Sequence, residues 1–356
     1  MTPAPIARIA GLAPYALADL PEGGVSLAQN ESLRAPSPQA LQAAARALRD
    51  GALYPDPDWR DLREAIAEAH GLDPAAILCG AGSMELIGAI AAAYLEPGRR
   101  ALQPAYGYAF FRTAGALAGA ATDLVPERGF TADIDRLIEA ASSETAVLWL
   151  ANPGNPTGTV LSATEILRLR EALPGNVLLV VDEAYGEFAE AGTVWPLVAR
   201  GDTVVLRTFS KAYGLAGFRV GWGAFPPAVA REVRKAINPN NISAPAQAAA
   251  AAAMRDGAYM RETVAMTAAL RDRLIETARR EGLAAPESAT NFALLPFSDT
   301  AAAGRAGAML RAGGLLLRGM DGYGLPHCLR ATVGREDAMA ALGAALAEIR
   351  ETEDAG

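Results

Sequence analysis

Short apolar runs alternate with helical patterns through the first two thirds of the chain. The runs are nearly continuous in apolar residues, which is typical of strands buried on both faces of a sheet. The predicted strands lie at residues 76–79, 101–103, 146–150, 177–181 and 203–209. Because helical patterns separate these strands, the sequence predicts an α/β fold with a largely parallel sheet.

Helix-start signals support this alternation. Ser37-Pro38 predicts a helix with proline at its first position, and Asp58 is predicted to cap the next helix. Ser162 and Glu165 have the spacing of a capping box, in which each side chain accepts a hydrogen bond from the other residue's backbone N–H.

The pattern changes after about residue 240. A long amphipathic helix is predicted at 261–281, and a final helix carries apolar residues on one stripe. Short strands are predicted at 292–295, 314–318 and 328–333. The sequence therefore predicts an N-terminal arm (1–30), a large α/β domain (31–240) and a smaller α+β domain (241–356).

Composition and charge narrow the classes of partner. The chain has 356 residues, 51% of them apolar, and a net charge of −8 with scattered basic residues. This argues against nucleic acid or an anionic membrane as the main partner. No signal-peptide pattern is present, and no apolar run approaches the roughly 20 residues that cross a bilayer. We expect a cytoplasmic protein.

Cysteine and histidine are scarce. Cys79 and Cys328 form neither a disulfide framework nor a zinc cluster, so no metal site is predicted. The only histidines are His70, which we expect at a helix end, and His327, which we interpret as a bystander. A catalytic base is therefore expected to be another residue, and lysine is the first alternative.

Polar residues follow several predicted strands, where ligands bind in open α/β sheets. Each group also has a simpler explanation. The glycines after strand 76–79 lack the third glycine of a dinucleotide loop, since Glu85 occupies that position, and could form a plain turn. Residues 152–158 favour turns throughout. Asp182 could be a helix cap, and Lys211 could be a surface lysine.

Together, however, these groups supply every part that pyridoxal phosphate requires. Lys211 offers an amine for the cofactor's aldehyde, and Asp182 a carboxylate for its pyridine nitrogen. Asn155 and Tyr185 can donate to its ring hydroxyl. Backbone N–H groups at the start of a helix, hydroxyls and a guanidinium can bind its phosphate. These phosphate ligands are predicted to be Gly82, Ser83, Met84, Thr208, Ser210 and Arg219.

The order and spacing of three motifs resemble a known family. NPGNPTG, VVDEAY and TFSKAYGLAGFRVGW are similar to the corresponding motifs of fold-type I, class I/II aminotransferases. Shorter matches extend the resemblance over nearly the whole chain, and they are closest to histidinol-phosphate aminotransferases. The resemblance implies the fold-type I transferase architecture, a large, mostly parallel domain with a smaller α+β domain.

The resemblance also implies roles for individual residues. Tyr106 would stack on the pyridine ring, and Tyr54 would reach the cofactor phosphate of a neighbouring subunit in a homodimer with shared sites. Arg330 would bind the substrate carboxylate, and Asn30 would belong to the substrate site. Arg318 and Tyr15 would hold the phosphate of histidinol phosphate.

The chain departs from the family pattern in one loop. Residues 30–35 read Asn-Glu-Ser-Leu-Arg-Ala, where relatives usually read Asn-Glu-x-Pro-x-Gly. The loop lies near the substrate entrance in the family, and Arg34 adds a charge to it. Gly319 and Met84 also differ from the usual residues.

The resulting hypothesis is ping-pong transamination between histidinol phosphate and 2-oxoglutarate, with Lys211 as general acid/base. Three alternatives remain open. The first is an aromatic or broad amino-acid aminotransferase, which would keep Arg330 and use an apolar pocket. The second is threonine-phosphate decarboxylase. The third is a regulator that binds the cofactor without turnover; such proteins carry an added DNA-binding domain, for which we expect no room before Asn30.

Overall fold

The computed structural model describes residues 3–14, 16, 19–189 and 192–354, without the side chains of residues 353 and 354. The strands of this part of the chain are β1 (Val25–Leu27), β2 (Ile77–Gly80), β3 (Arg100–Pro104), β4 (Ala121–Val125), β5 (Thr145–Ala151), β6 (Leu178–Asp182), β7 (Thr203–Thr208), β8 (Gly221–Ala224), β9 (Phe292–Pro296), β10 (Leu315–Gly319) and β11 (Cys328–Thr332).

The α-helices of the same ranges alternate with the strands up to β8 and then dominate. They are α1 (Ala7–Ala10), α2 (Pro38–Ala47), α3 (Arg60–His70), α4 (Ser83–Tyr94), α5 (Ala109–Ala118), α6 (Ile134–Ala140), α7 (Ala163–Ala172), α8 (Trp195–Val198), α9 (Pro227–Ala236), α10 (Ala244–Arg255), α11 (Gly257–Arg280), α12 (Thr300–Ala312) and α13 (Glu336–Asp354). No helix of the described ranges is both long and apolar enough to cross a membrane.

The large sheet has the strand order β2-β8-β7-β6-β5-β3-β4. Strand β8 runs antiparallel to both of its neighbours, and the remaining pairs are parallel. This confirms the predicted α/β fold with a mostly parallel sheet. The sequence did not predict β4 or β8, because β4 is a partly exposed edge strand and β8 is rich in glycine.

The sheet is buried on both faces, as the continuous apolar runs predicted. In β5, Val147 and Trp149 join the apolar cluster on one face, whereas Leu148 and Leu150 join the cluster on the other. The alternation arises because successive side chains of a strand point to opposite faces. Fully burying such a side chain stabilises the fold by roughly 1.5–3 kcal/mol.

A second sheet has the order β1-β10-β11-β9. Its strands β9, β10 and β11 were predicted, whereas β1 comes from the arm at residues 1–30 and pairs with β10 in parallel. Helices α11, α12 and α13 contribute to the apolar cluster behind this sheet. The limits 31–240 and 241–356 stay a prediction. The alanines of α10 pack into the same apolar cluster as Trp59, which precedes α3, and Leu62 of α3.

The predicted helix caps are confirmed with one correction. Ser37 accepts from the N–H of Ala40, and Ser162 with Glu165 forms the complete capping box. The prediction for Asp58 is wrong, because Asp56 accepts the N–H groups of residues 58 and 60 at 3.1 and 2.9 Å.

Candidate active site

A cavity of about 410 Å³ lies between the carboxyl ends of the large sheet's parallel strands and the second sheet. Its walls contain most of the predicted site residues. These are Asn30, Ser83, Met84, Asn155, Asp182, Tyr185, Thr208, Ser210, Lys211, Arg219, Arg318 and Arg330. Gly82 directly precedes Ser83 at the start of α4.

Lys211 follows β7 and lines the middle of the cavity. Its Nζ donates to the carbonyl oxygens of Asn30 at 2.9 Å and Gln29 at 3.3 Å. Desolvation by the surrounding protein lowers the pKa of the amine to about 7, and the positive charges of Arg330 and Arg219 act in the same direction. A large fraction of this amine is therefore neutral near neutral pH, as a nucleophile or a general base requires.

Asp182 ends β6 and lies on the cavity wall with its carboxylate buried. Burial raises the pKa of this carboxyl group to about 7, while the N–H of Ala184, 3.1 Å from Oδ1, opposes the shift. A cationic N–H group in the cavity would stabilise the carboxylate. The site therefore suits a protonated ring nitrogen.

An anion cradle forms where the N-terminus of α4 meets the segment after β7. Arg219 Nη1 lies 3.4 Å from Ser210 Oγ, and the Thr208 hydroxyl accepts the N–H of Ser210 at 3.1 Å. Arg219 adopts a left-handed backbone conformation, with φ of 54°, which is uncommon for a residue with a side chain. A helix N-terminus with a guanidinium and hydroxyls is a suitable binding site for a phosphate group.

Two glycines make this close approach possible. A Cβ atom on Gly82 would lie 2.4 Å from Arg219 Nη2, and one on Gly221 would lie 2.2 Å from Ser83 N. Side chains at either position would displace the cradle. The residues present therefore fit a phosphate-bearing cofactor.

Asn155 and Tyr185 are each held by one hydrogen bond that leaves a donor group available. Asn155 Oδ1 accepts from Arg330 Nη1 at 2.6 Å, so its amide nitrogen remains as a donor. The Tyr185 hydroxyl accepts from Asn30 Nδ2 at 2.7 Å, so its O–H remains as a donor. The Asn152-Pro153 and Asn155-Pro156 bonds are both cis.

Arg318 and Arg330 lie directly opposite each other on the antiparallel strands β10 and β11. Arg330 is buried, and its Nη2 also donates to the carbonyl oxygen of Ala28 at 3.0 Å. Arg318 is half-buried and donates to the carbonyl oxygen of Ala16 at 3.1 Å. Because both side chains line the cavity, this wall is positively charged and suits an anionic group.

Two of the predicted tyrosines do not line the cavity. Tyr106 packs 6.3 Å from the Phe130 ring, on a neighbouring small pocket. Tyr54 is on the surface, with 87% of its area exposed. Tyr15 lies outside the described residues.

The sequence missed two aromatic residues that do line the cavity, Tyr108 and Tyr323. Tyr108 is the second tyrosine of Pro-Ala-Tyr-Gly-Tyr and directly precedes α5, so the rule of ligands at strand ends applied to both tyrosines equally. Burial raises the pKa of the Tyr108 hydroxyl. Only the turn geometry shows that Tyr108, rather than Tyr106, faces the cavity.

His70 is the last residue of α3, as predicted, and its side chain packs among Trp195 and Trp222. Desolvation lowers the pKa of this imidazole to about 4, and the charge of Arg207 contributes. His327 does not line the cavity. Neither histidine is placed to act as the catalytic base.

The comparisons with known proteins agree with this geometry. The profile of the family Aminotransferase class I and II matches residues 22–346. A histidinol-phosphate aminotransferase of Rhodopseudomonas palustris is 41% identical over 360 residues, which cover 97% of this chain and 98% of the relative.

Solved structures show the same architecture. The structure of histidinol-phosphate aminotransferase from Sinorhizobium meliloti in complex with pyridoxal-5'-phosphate has a TM-score of 0.90 and 31% identity, covering 98% of each chain. An aspartate aminotransferase mutant from Thermus thermophilus, 22% identical with a TM-score of 0.85, covers 98% of this chain and all of its own and shares the fold. The chain therefore belongs to the class I and II aminotransferases and is a pyridoxal-phosphate-dependent enzyme of that family.

Proposed function

We propose that this aminotransferase transfers the amino group of histidinol phosphate to 2-oxoglutarate. The observation that carries the proposal is the juxtaposition of Arg318 and Arg330 on paired strands at the cavity wall. Two guanidinium groups on one face suit a phosphate dianion, whereas a single carboxylate requires one of them. The named relatives from Rhodopseudomonas palustris and Sinorhizobium meliloti support this choice of donor.

The residues of the large domain would hold the cofactor. Asp182 would accept a hydrogen bond from the ring nitrogen, and Asn155 and Tyr185 would donate to the ring oxygen. Tyr108 takes the stacking role first assigned to Tyr106, because Tyr108 is the tyrosine that lines the cavity. The phosphate ligands would be Gly82, Ser83, Met84, Thr208, Ser210 and Arg219.

When bound, pyridoxal phosphate supplies an aldehyde for amines and a ring that withdraws electrons from the substrate's α-carbon. Lys211 Nζ would then take the proton from that α-carbon and deliver it to the exocyclic carbon that carried the cofactor's aldehyde. The lowered pKa of this amine allows both directions near neutral pH. Asn30 and Arg330 would position the donor, and Arg318, with Tyr15, would bind its phosphate.

The decisive experiment compares donors in one coupled assay with 2-oxoglutarate. We expect the purified protein to prefer histidinol phosphate over phenylalanine, tyrosine and threonine phosphate. Arg318→Ala should lower kcat/KM for histidinol phosphate about ten- to a hundredfold and change that for phenylalanine little. If the parent prefers an aromatic amino acid and Arg318→Ala keeps that preference, the aromatic aminotransferase hypothesis replaces this one.

We also propose a homodimer in which Tyr54 reaches the cofactor phosphate of the second subunit. The exposure of this side chain supports the proposal. Mixed Tyr54→Ala and Lys211→Ala subunits should regain part of the activity that each lacks alone, because a heterodimer would contain one intact site. Absence of recovery after verified subunit exchange would contradict a shared site. The cytoplasmic location stays a prediction.

A further inference from the structure

The segment of residues 29–36 touches Lys211 from two sides. Its carbonyl groups at Gln29 and Asn30 accept hydrogen bonds from the amine. Its backbone near Arg34 packs against Gly214, in the turn that follows Lys211. A Cβ atom on Gly214 would lie 3.1 Å from the Arg34 oxygen, and Gly214 has a positive φ of 69°. The position of this segment therefore affects both the amine and the turn that carries it.

Arg34 points away from the cavity and onto the first turns of α11. Its Nη1 donates to Glu262 Oε2 at 2.8 Å, and its guanidinium lies 4.0 Å from the centre of the Tyr259 ring. The Tyr259 hydroxyl donates in turn to the carbonyl oxygen of Ala35 at 2.9 Å. We call Arg34, Tyr259 and Glu262 the Arg34 clamp.

A second contact holds the other end of the segment. Asn291 Nδ2 donates to the carbonyl oxygens of Asn30 and Glu31 at 3.1 and 3.0 Å. Side-chain contacts from α11 and from Asn291 therefore hold the segment at both of its ends.

We propose that the Arg34 clamp is a positioning device that keeps the carbonyl groups of Gln29 and Asn30 at the Lys211 amine. The clamp touches no substrate-binding wall of the cavity and acts through the backbone of residues 29–36. As a largely exposed ion pair, with Glu262 63% exposed, it contributes little to global stability. Its effect is local to the amine. The proposal rests on the role proposed above for Lys211.

The sign of the effect follows from the groups around the amine. Carbonyl acceptors stabilise the ammonium form, as do the negative charges of Asp182 and Glu31. Arg219 and Arg330 destabilise it. Burial is the largest cause of the lowered pKa. Loosening the segment removes acceptors, but it also admits water to the amine and relieves its desolvation, which is the larger effect. The pKa of Lys211 should therefore rise.

The test measures this pKa in the full-length protein freed of cofactor. Trace acetylation with acetic anhydride over a pH series, read by peptide mass spectrometry, reports the neutral fraction of Lys211, with Lys235 as the internal reference. Because burial lowers this pKa from the ordinary lysine value to about 7, partial hydration in Arg34→Ala should raise the midpoint by about one unit. The matched control is Arg273→Ala, a change on the same helix, α11. It removes an exposed ion pair between Arg273 and Glu336 and should leave the midpoint unchanged.

Charge reversal separates positioning from general damage. Arg34→Glu and Glu262→Arg should each raise the midpoint, and the double variant should restore most of the parent value. Tyr259→Phe removes the hydroxyl that bonds Ala35 and should cause a smaller increase; it decides the question if Arg34→Ala does not fold. An unchanged midpoint in the folded variants, or an increase that charge reversal does not restore, overturns the proposal. Borohydride fixation of the cofactor on a residue other than Lys211 in the parent would instead overturn the proposed role of that lysine.

Discussion

The two walls of the active-site cavity are built in different ways. On the cofactor side, Asp182 and Lys211 lie at or just beyond the ends of adjacent parallel strands, β6 and β7. On the donor side, Arg318 and Arg330 come from antiparallel strands of the second sheet, and Asn30 comes from the segment that follows β1. Local strand-to-loop transitions place the first set, whereas the packing of distant segments places the second.

The two walls also differ in charge. The cofactor side holds a carboxyl group with a raised pKa and an amine with a lowered pKa, each shifted mainly by burial. On the donor side, Arg330 is bonded to neutral acceptors, Asn155 Oδ1 and the carbonyl oxygen of Ala28. One wall is therefore suited to moving protons and the other to binding an anion. Variants of each wall should fail in different ways.

Removing the amine should have the largest effect. Lys211→Ala should fold and retain weak cofactor binding through the phosphate cradle, yet lose turnover almost completely, because the amine that would bind the cofactor and carry the proton is then missing. Borohydride should fix the cofactor on the peptide containing Lys211 in the parent. Lys235→Ala, which changes the only other lysine, is the control and should be fully active. Label on Lys235 would contradict the assignment.

Removing the carboxylate of the same wall should impair catalysis more than binding. Asp182→Ala should lower kcat on the order of a hundredfold or more, because the charge acts on the transition state, while cofactor retention should fall much less. Asp182→Asn, which keeps the size and removes the charge, should behave similarly. Steady-state kinetics and cofactor titration measure the two quantities. A normal kcat in either variant would show that the carboxylate has no catalytic role.

A change on the donor wall should impair substrate use and spare the cofactor. Arg330→Ala should lower kcat/KM about ten- to a hundredfold for both histidinol phosphate and phenylalanine, since it removes charge-assisted hydrogen bonds to the anionic group of either donor. The amount of bound cofactor should stay nearly unchanged. Arg335→Ala, an exposed arginine nearby in the chain, is the control. Loss of cofactor in Arg330→Ala would mean that the two walls are not separable.

The pH dependence of cofactor capture should show the smallest effect. Lys211 is charged below a pKa of about 7 and neutral above it, and only the neutral amine attacks an aldehyde. Capture by the cofactor-free protein should therefore rise with pH, from about a tenth of its maximum one unit below the pKa to a plateau above it. Stopped-flow absorbance measures the rate. A midpoint near the ordinary lysine value of about 10.4 would contradict a desolvated amine.

Sequence patterns predicted most of the cofactor wall because its residues follow strands that are themselves recognisable. Buried parallel strands carry continuous apolar runs, and ligands collect at their carboxyl ends. The same rule could not choose between Tyr106 and Tyr108, since both follow β3 and only the turn decides which ring faces the cavity. It also could not find β8, because the strand is rich in glycine and carries little hydrophobic signal; its Gly221 makes space for the backbone of Ser83.

The arrangement of the donor wall could be predicted less well, because it depends more on tertiary structure. The sequence suggested Arg318 and Arg330 by resemblance, but their direct opposition follows from the register of β10 and β11. The charge of Arg34 was visible in the sequence, and its expected place was the substrate entrance. The structure places the side chain on α11 instead, 2.8 Å from Glu262, a residue 228 positions away.

The sequence by itself determined the α/β fold, the family, and the lysine, aspartate and arginine that line the cavity beside the large sheet. Each of these follows from local periodicity or from a motif of adjacent residues. Tertiary structure alone decided which tyrosine lines the cavity, how the second sheet brings two arginines together, and where Arg34 binds. Those outcomes depend on contacts between residues far apart in the chain, and the free energy of such contacts is set by packing and burial that no local pattern encodes.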